Sequence, residues 1–231
     1  MSEVHKTSAV IVAAGRGSRM QADINKQYLL LFSMPVLAHT IMAFEQTECI
    51  SEIVIVINEK ERHIFEDLIC NSFNFSKIAA VVNGGRERQE SVYQGLLKTS
   101  PESGIIAVHD GARPLVTPDI IKNSIEIAVE YGAACVGVPV KDTIKRSDRN
   151  QTVQETLDRS CLWLIQTPQV FQRDIIQKAH EYALKTGFQG TDDSMLVERT
   201  GYEVHMVMGS YSNIKITTPE DLVYAEAILG R

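Results

Sequence analysis

Ala9-Val-Ile-Val-Ala13 runs without a polar break into Ala14-Gly-Arg-Gly-Ser-Arg-Met20. An apolar run that is continuous rather than alternating reads as a strand buried on both faces, and the glycine loop marks its carboxyl end. Four more runs share that character: Ile53-Val-Ile-Val-Ile57, Ile78-Ala-Ala-Val-Val82, Ile105-Ile-Ala-Val-His109 and Ala133-Ala-Cys-Val-Gly-Val138. Helical stretches near 35–46, 59–71, 87–98 and 118–131 separate them. In the last of these, Thr117 is placed to cap the helix, Pro118 sits in its first turn and Gly132 stops it. Strand and helix alternating at this spacing predict right-handed crossovers and a three-layer α/β/α sandwich around a mainly parallel sheet.

The rhythm breaks after Pro139. From Val140 to Gln166 the chain is polar and β-branched, with a turn at Ser147-Asp-Arg-Asn150, which predicts a β-arm at about 139–166. Such an arm is either a dimerisation element or a plain surface hairpin. Helices are expected again near 173–186, 192–199 and 219–229, with strands near 203–208 and 213–216. No repeat or linker interrupts the chain, so the expectation is one domain over 1–231 carrying the arm.

Composition narrows the class of function. The 231 residues are 44% apolar, enough for a sizeable core, and Lys and Arg against Asp and Glu give 23 − 29 = −6. That balance argues against a protein that coats nucleic acid or an anionic membrane. No apolar run approaches the roughly 20 residues that span a bilayer, and the first eight residues lack a signal peptide's apolar stretch. Cys49, Cys70, Cys135 and Cys161 are too far apart for zinc-ligand or redox spacing. A cytoplasmic location is expected.

The chemistry concentrates after the strands. The loop 14–27 carries Arg16, Arg19 and Lys26 against Asp23, a local excess of +2 in an acidic chain. It fails both familiar phosphate-loop spacings, having Met20-Gln21 where a P-loop needs Gly-Lys and no glycine at 20 for the dinucleotide fingerprint. The readings left are a polyphosphate pocket and a solvated glycine turn. Gly84-Gly-Arg-Glu-Arg-Gln-Glu-Ser91 opens a helix, with Arg88 and Ser91 on one face of its first turn, a candidate nucleotide contact or an ordinary cap. His109-Asp-Gly-Ala-Arg-Pro114 closes the fourth strand. Asp110 is there either a site for Mg²⁺ beside phosphates or the partner of Arg113. His109 is read as a core histidine without chemistry. Thr167-Pro-Gln169 reads as a turn, Thr191-Asp-Asp-Ser194 as a helix cap, and Asn213-Ile-Lys-Ile216 as a short edge strand.

Taken in order, these segments resemble the 2-C-methyl-D-erythritol 4-phosphate cytidylyltransferases of the non-mevalonate isoprenoid pathway, over about residues 8 to 229. Lys26-Gln-Tyr28, Lys141-Asp-Thr-Ile-Lys-Arg146, Thr156-Leu-Asp-Arg159, Gln166-Thr-Pro-Gln169, Thr191-Asp192 and Asn213-Ile-Lys-Ile-Thr217 join the motifs above. The resemblance implies a Rossmann-like sheet of the nucleotide-diphospho-sugar transferase type. It also implies transfer of a cytidylyl group from CTP to methylerythritol phosphate, with pyrophosphate leaving. By it, Arg19 and Lys26 stabilise the five-coordinate α-phosphorus. Ala13, Ala14, Gly15, Gly17, Gly85, Arg88, Ser91 and Asp110 hold CTP. Mg²⁺ bridges the phosphates at Asp110, directly or through water. Arg159 and Lys215 position the substrate phosphate, helped by Thr143, Thr167 and Thr191. It further implies a homodimer in which the arms exchange, so that Thr143 and Arg159 act in trans. Arg16 receives no role.

Ribitol-5-phosphate cytidylyltransferase shares the fold and the Thr-Pro-Gln segment, but Lys141–Arg146 and Leu157–Trp163 look like the methylerythritol enzyme. A non-catalytic nucleotide-binding protein of the same fold would be expected to have lost Arg19, Lys26, Asp110 or Lys215, and all four are present.

Overall fold

The computed structural model describes residues 6–15 and 25–230. Arg19 and Gly17 therefore lie outside the described residues. Seven strands form one sheet: β1 (Thr7–Ala13), β2 (Ile50–Ile57), β3 (Ile78–Asn83), β4 (Ile105–Asp110), β5 (Ala133–Pro139), β6 (Trp163–Gln172) and β7 (His205–Met208). Their spatial order is β7-β5-β6-β4-β1-β2-β3, and every pair is parallel except those made by β6.

Six helices complete the layers: α1 (Val36–Glu45), α2 (Arg88–Leu96), α3 (Pro118–Tyr131), α4 (Arg173–Thr186), α5 (Asp193–Arg199) and α6 (Pro219–Leu229). On β1, Ile11 faces a core shared with Leu37, Ile41 and Phe44 of α1 and Ile121 of α3. Its neighbour Val10 faces the other core, with Val92 of α2 and Ile176 of α4. Both faces are dry, which explains the unbroken apolar runs. The α3 helix begins and ends as expected: Thr117 accepts the Ile120 N–H at its start, and Gly132 at φ +94° ends it.

Four expectations are corrected. Trp163–Gln172 is one strand, where Gln166 was expected to end the arm and Thr167-Pro168-Gln169 to be a turn. Its pairing with β5 lapses between Ile165 and Gln169, and Pro168, with no N–H to donate, sits in that gap. Asn213–Ile216 is an extended segment rather than a strand, tied down where the Ile216 N–H donates to Ala112 O at 2.8 Å. The stretch 59–71 is a short 3-10 turn, one α turn and a π turn in succession rather than a uniform helix. Finally, β3 is an edge strand and only half-buried.

The arm carries a two-stranded ribbon, Lys145–Ser147 against Val153–Thr156, with every residue of both strands exposed. No helix among the described residues is long and apolar enough to cross a membrane.

Candidate active site

The register of the parallel strands brings their carboxyl ends level. Ala13 pairs with Ile57 and Ile57 with Asn83, while Asp110 sits beside Val12. The loops that follow open a cavity of about 920 Å³, the kind of place where open α/β sheets bind ligands. Ala13, Ala14, Gly15, Lys26, Gly85, Arg88, Ser91, Asp110 and Lys215 all line it. A second cavity of about 300 Å³ adjoins it, lined by Thr167 and Thr191 among others. Arg88, Asp110 and Lys215 line both, so they mark the junction.

Backbone contacts shape the first cavity. A Cβ on Gly84 would lie 2.4 Å from Ala14 Cβ and 2.8 Å from Ser91 Oγ, so only glycine lets the two loops approach this closely. Ser91 Oγ accepts the Gly85 N–H at 3.1 Å and donates to Glu87 O at 3.0 Å, which folds the glycine turn onto α2. Lys26 enters on the 3-10 turn Lys26–Tyr28. The next residue, Gln27, anchors that turn by donating to Ala13 O at 2.7 Å and to Glu61 at 3.2 Å.

At the junction Asp110 is buried among cations. Its Oδ1 is 3.1 Å from Arg88 Nε, and its Oδ2 is 2.8 Å from Lys215 Nζ and 3.7 Å from Arg113 Nε. Burial alone would raise its pKa, but the charges of Arg88, Lys215 and Arg113 outweigh that and hold the carboxyl well below the usual carboxylate range. Arg88 also donates through Nη1 to Asp193 at 2.7 Å. Burial would lower the Arg88 pKa, yet Asp193 and Asp110 together push it above its ordinary value. Three cations against two carboxylates leave 3 − 2 = +1 at the junction, in a chain of net charge −6. Such a site attracts anions.

His109 works beneath this cluster as a linker. Thr167 Oγ1 accepts the Asp110 N–H at 3.1 Å, which leaves its own hydrogen to donate to His109 Nδ1 at 3.0 Å. The other ring nitrogen, Nε2, then donates to Arg113 O at 3.3 Å. Burial lowers the His109 pKa to about 3, so the ring is neutral, as that pattern requires. The expectation of a core histidine without chemistry fits this arrangement.

Two residues proposed from sequence stand apart. Thr143 and Arg159 are exposed on the arm, and neither lines either of these two cavities; Arg159 donates to Lys141 O at 2.5 Å. Conversely, sequence reasoning passed over Asp193, Gln169 and Asn213. Asp192 is the N-cap of α5, whereas Asp193 turns inward and is 1% exposed. Asn213 donates to Gln166 Oε1 at 3.2 Å and to Thr167 O at 3.0 Å, and so seats the Lys215 segment on the gap in β6. An acidic pair at a helix start was the only hint of Asp193, and nothing in it said which acid faces inward.

Comparison with known proteins agrees with this geometry. Residues 7–231 match the family model described as IspD, 2-C-methyl-D-erythritol 4-phosphate cytidylyltransferase. The chain is 52% identical to the 2-C-methyl-D-erythritol 4-phosphate cytidylyltransferase of Caldanaerobacter subterraneus subsp. tengcongensis, over 97% of this chain and 99% of that one. It is 49% identical to the protein of the same name from Alkaliphilus oremlandii, over 99% and 97%. The crystal structure of 4-diphosphocytidyl-2C-methyl-D-erythritol synthase from Anaerococcus prevotii superposes with a TM-score of 0.87 at 33% identity, covering 99% of this chain and 97% of that chain. With the family model matching residues 7–231 and relatives of that name about half identical over nearly the whole length, the chain belongs to the 2-C-methyl-D-erythritol 4-phosphate cytidylyltransferase family.

Proposed function

We propose that the two adjoining cavities carry out the family's reaction. A cytidylyl group passes from CTP to 2-C-methyl-D-erythritol 4-phosphate, giving 4-diphosphocytidyl-2-C-methyl-D-erythritol and pyrophosphate in isoprenoid precursor synthesis. The observation that carries this reading is the junction: Arg88, Asp110 and Lys215 border a large cavity and a small one at once. Two phosphates that must meet in line need two pockets with shared cationic walls.

In this reading CTP lies in the larger cavity against Ala13, Ala14, Gly15 and Gly85, with Arg88 and Ser91 at its edge; Gly17, outside the described residues, is assigned to CTP from the family resemblance alone. The methylerythritol phosphate lies in the smaller one, held by Lys215, Thr167 and Thr191. Its phosphate is already an anion near neutral pH, so attack at the α-phosphorus needs no general base. Lys26 stabilises the equatorial oxygens, where negative charge grows as the phosphorus becomes five-coordinate, and Arg19, outside the described residues, is assigned the same role from the family resemblance. Thr143 and Arg159 come from the arm of a second copy. Their exposure, away from the cavities of their own chain, supports a homodimer with exchanged arms.

The donor set suits Mg²⁺. That ion takes one or two carboxylates together with phosphate oxygens and water, and Asp110, kept ionised by its neighbours, is such a carboxylate at the junction. When bound there, Mg²⁺ would offset charge on the triphosphate.

The test is pyrophosphate release from CTP and Mg²⁺, comparing 2-C-methyl-D-erythritol 4-phosphate with ribitol 5-phosphate. Release with the first alone is expected. Release only with the second would keep the chemistry and overturn the acceptor; release with neither would overturn the reaction.

A further inference from the structure

Among the described residues, Arg88 is the only cation of the junction held by two carboxylates, one at the end of a strand and one at the start of a helix. Nε meets Asp110 at the end of β4, and Nη1 meets Asp193 at the start of α5. Asp193 is itself fixed on every side. Its Oδ1 accepts from His180 Nε2 of α4 at 3.2 Å, and its N–H donates to Gln169 Oε1 of β6 at 3.0 Å. The His180 ring stacks on Tyr93 of α2, the helix that Arg88 begins, with centroids 5.9 Å apart and planes at 20°. His180 and Asp193 are each 1% exposed, while the Arg88 side chain keeps 27% of its surface open.

We propose that Asp193, braced by His180, is a positioning residue that sets how Arg88 meets the nucleotide. The inference rests on the reading of Arg88 as a CTP contact and adds what fixes that contact. Asp110 is shared among Arg88, Lys215 and Arg113, so alone it specifies the Arg88 geometry poorly. A guanidinium stretched between two carboxylates has one orientation, because its donors form a rigid fork. With Asp193 neutralised, Arg88 would keep only its contact to Asp110 and lose its fixed orientation toward the cavity.

A purely structural role for Asp193, as a favourable charge in the first turn of α5, makes different predictions. CTP binding by calorimetry, KM for each substrate and the thermal midpoint should be measured for Asp193→Asn, His180→Leu and His180→Gln. Each change is then repeated in an Arg88→Ala background. The expected result for Asp193→Asn is CTP affinity weakened about tenfold or more, with KM for methylerythritol phosphate little changed. His180→Leu should weaken CTP binding less, and His180→Gln, which keeps an N–H donor, should restore it. In the Arg88→Ala background neither position should alter CTP affinity further. Equal losses with and without Arg88, or losses for both substrates that follow the thermal midpoint, would overturn the inference while leaving Arg88 a nucleotide contact. If Asp193→Asn does not fold, the two His180 variants decide by the same criteria. Unchanged CTP binding in Arg88→Ala would overturn the reading of Arg88, and this inference with it.

Discussion

Lys215 Nζ stands 2.8 Å from Asp110 Oδ2, an ion pair between an extended segment near the carboxyl terminus and the end of a central strand. The pair sits where the two cavities meet, so Lys215 borders both phosphates of the proposed reaction. Replacing it with alanine removes a cation from the path of the incoming phosphate. Lys215→Ala is expected to lower kcat/KM for methylerythritol phosphate by about 10²-fold or more, with CTP binding affected less. Pyrophosphate release with each substrate varied in turn measures this. A larger loss in CTP binding than in kcat/KM for methylerythritol phosphate would assign Lys215 to the nucleotide instead.

His109 gives the chain a pH signature. Its pKa falls to about 3 in the folded protein because burial disfavours the charged ring. The unfolded chain, near the ordinary value of about 6.5, therefore binds more protons between those limits, and stability declines as pH falls through that window. Between pH 7 and 5 this one group accounts for at most about 2 kcal/mol. Thermal or urea unfolding of His109→Asn, which cannot protonate, should start from lower stability but show a shallower decline over the same interval. A parallel decline would mean that other groups set the acid sensitivity.

Gly84 tests the wall of the larger cavity. The Cβ of an alanine would fall 2.4 Å from Ala14 Cβ, so one of the two loops must move. Gly84→Ala is expected to cost about 1–3 kcal/mol of stability. It should also weaken CTP, because the backbone amides of the Ala14 loop lose their spacing. Calorimetric CTP binding together with urea unfolding reads both effects. Normal CTP affinity in a destabilised variant would separate this wall from the nucleotide site.

The sequence disclosed the layers because the parallel strands are buried on both faces, which leaves a continuous apolar signature in Ala9–Ala13 and Ile53–Ile57. It hid β6 because that strand carries Gln166, Thr167, Pro168 and Gln169 in its middle. Gln166, Thr167 and Gln169 line the smaller cavity, and their polarity beside a proline imitates a turn. The same trade explains Lys215: the segment is held by the amide of Asn213 and one backbone bond to Ala112, not by a ladder. Cavity-lining residues on glycine loops, such as Gly85 and Arg88, stood out as candidates because a Gly-Gly turn opens a helix there, while only the family resemblance chose between a nucleotide contact and an ordinary cap. Asp193 did not, since its role depends on Arg88, 105 residues before it in the sequence, and on the packing of α4 beside the start of α5.

Lys26 separates ground-state binding from catalysis. If it meets the α-phosphate chiefly as charge grows in the transition state, Lys26→Ala should lower kcat by roughly 10²–10³-fold while CTP affinity falls much less. Single-turnover rates beside calorimetric CTP binding make the comparison. Equal losses in the two would mean that Lys26 only helps to hold the triphosphate.

Arg159 decides whether two chains share a site. It is exposed on the arm and bonded to Lys141 O, with neither cavity of its own chain within its lining residues. Arg159→Ala and Lys26→Ala subunits should each be nearly inactive alone. If the arm completes the partner's site, a mixed dimer pairs one intact body with one intact arm, and half of the randomly formed dimers are mixed. Mixing the two variants after reversible dissociation should therefore restore up to about a quarter of wild-type activity, since only one of the two sites in each mixed dimer is whole. If Arg159 acted within its own chain, every site in the mixture would carry one lesion, and no activity would return.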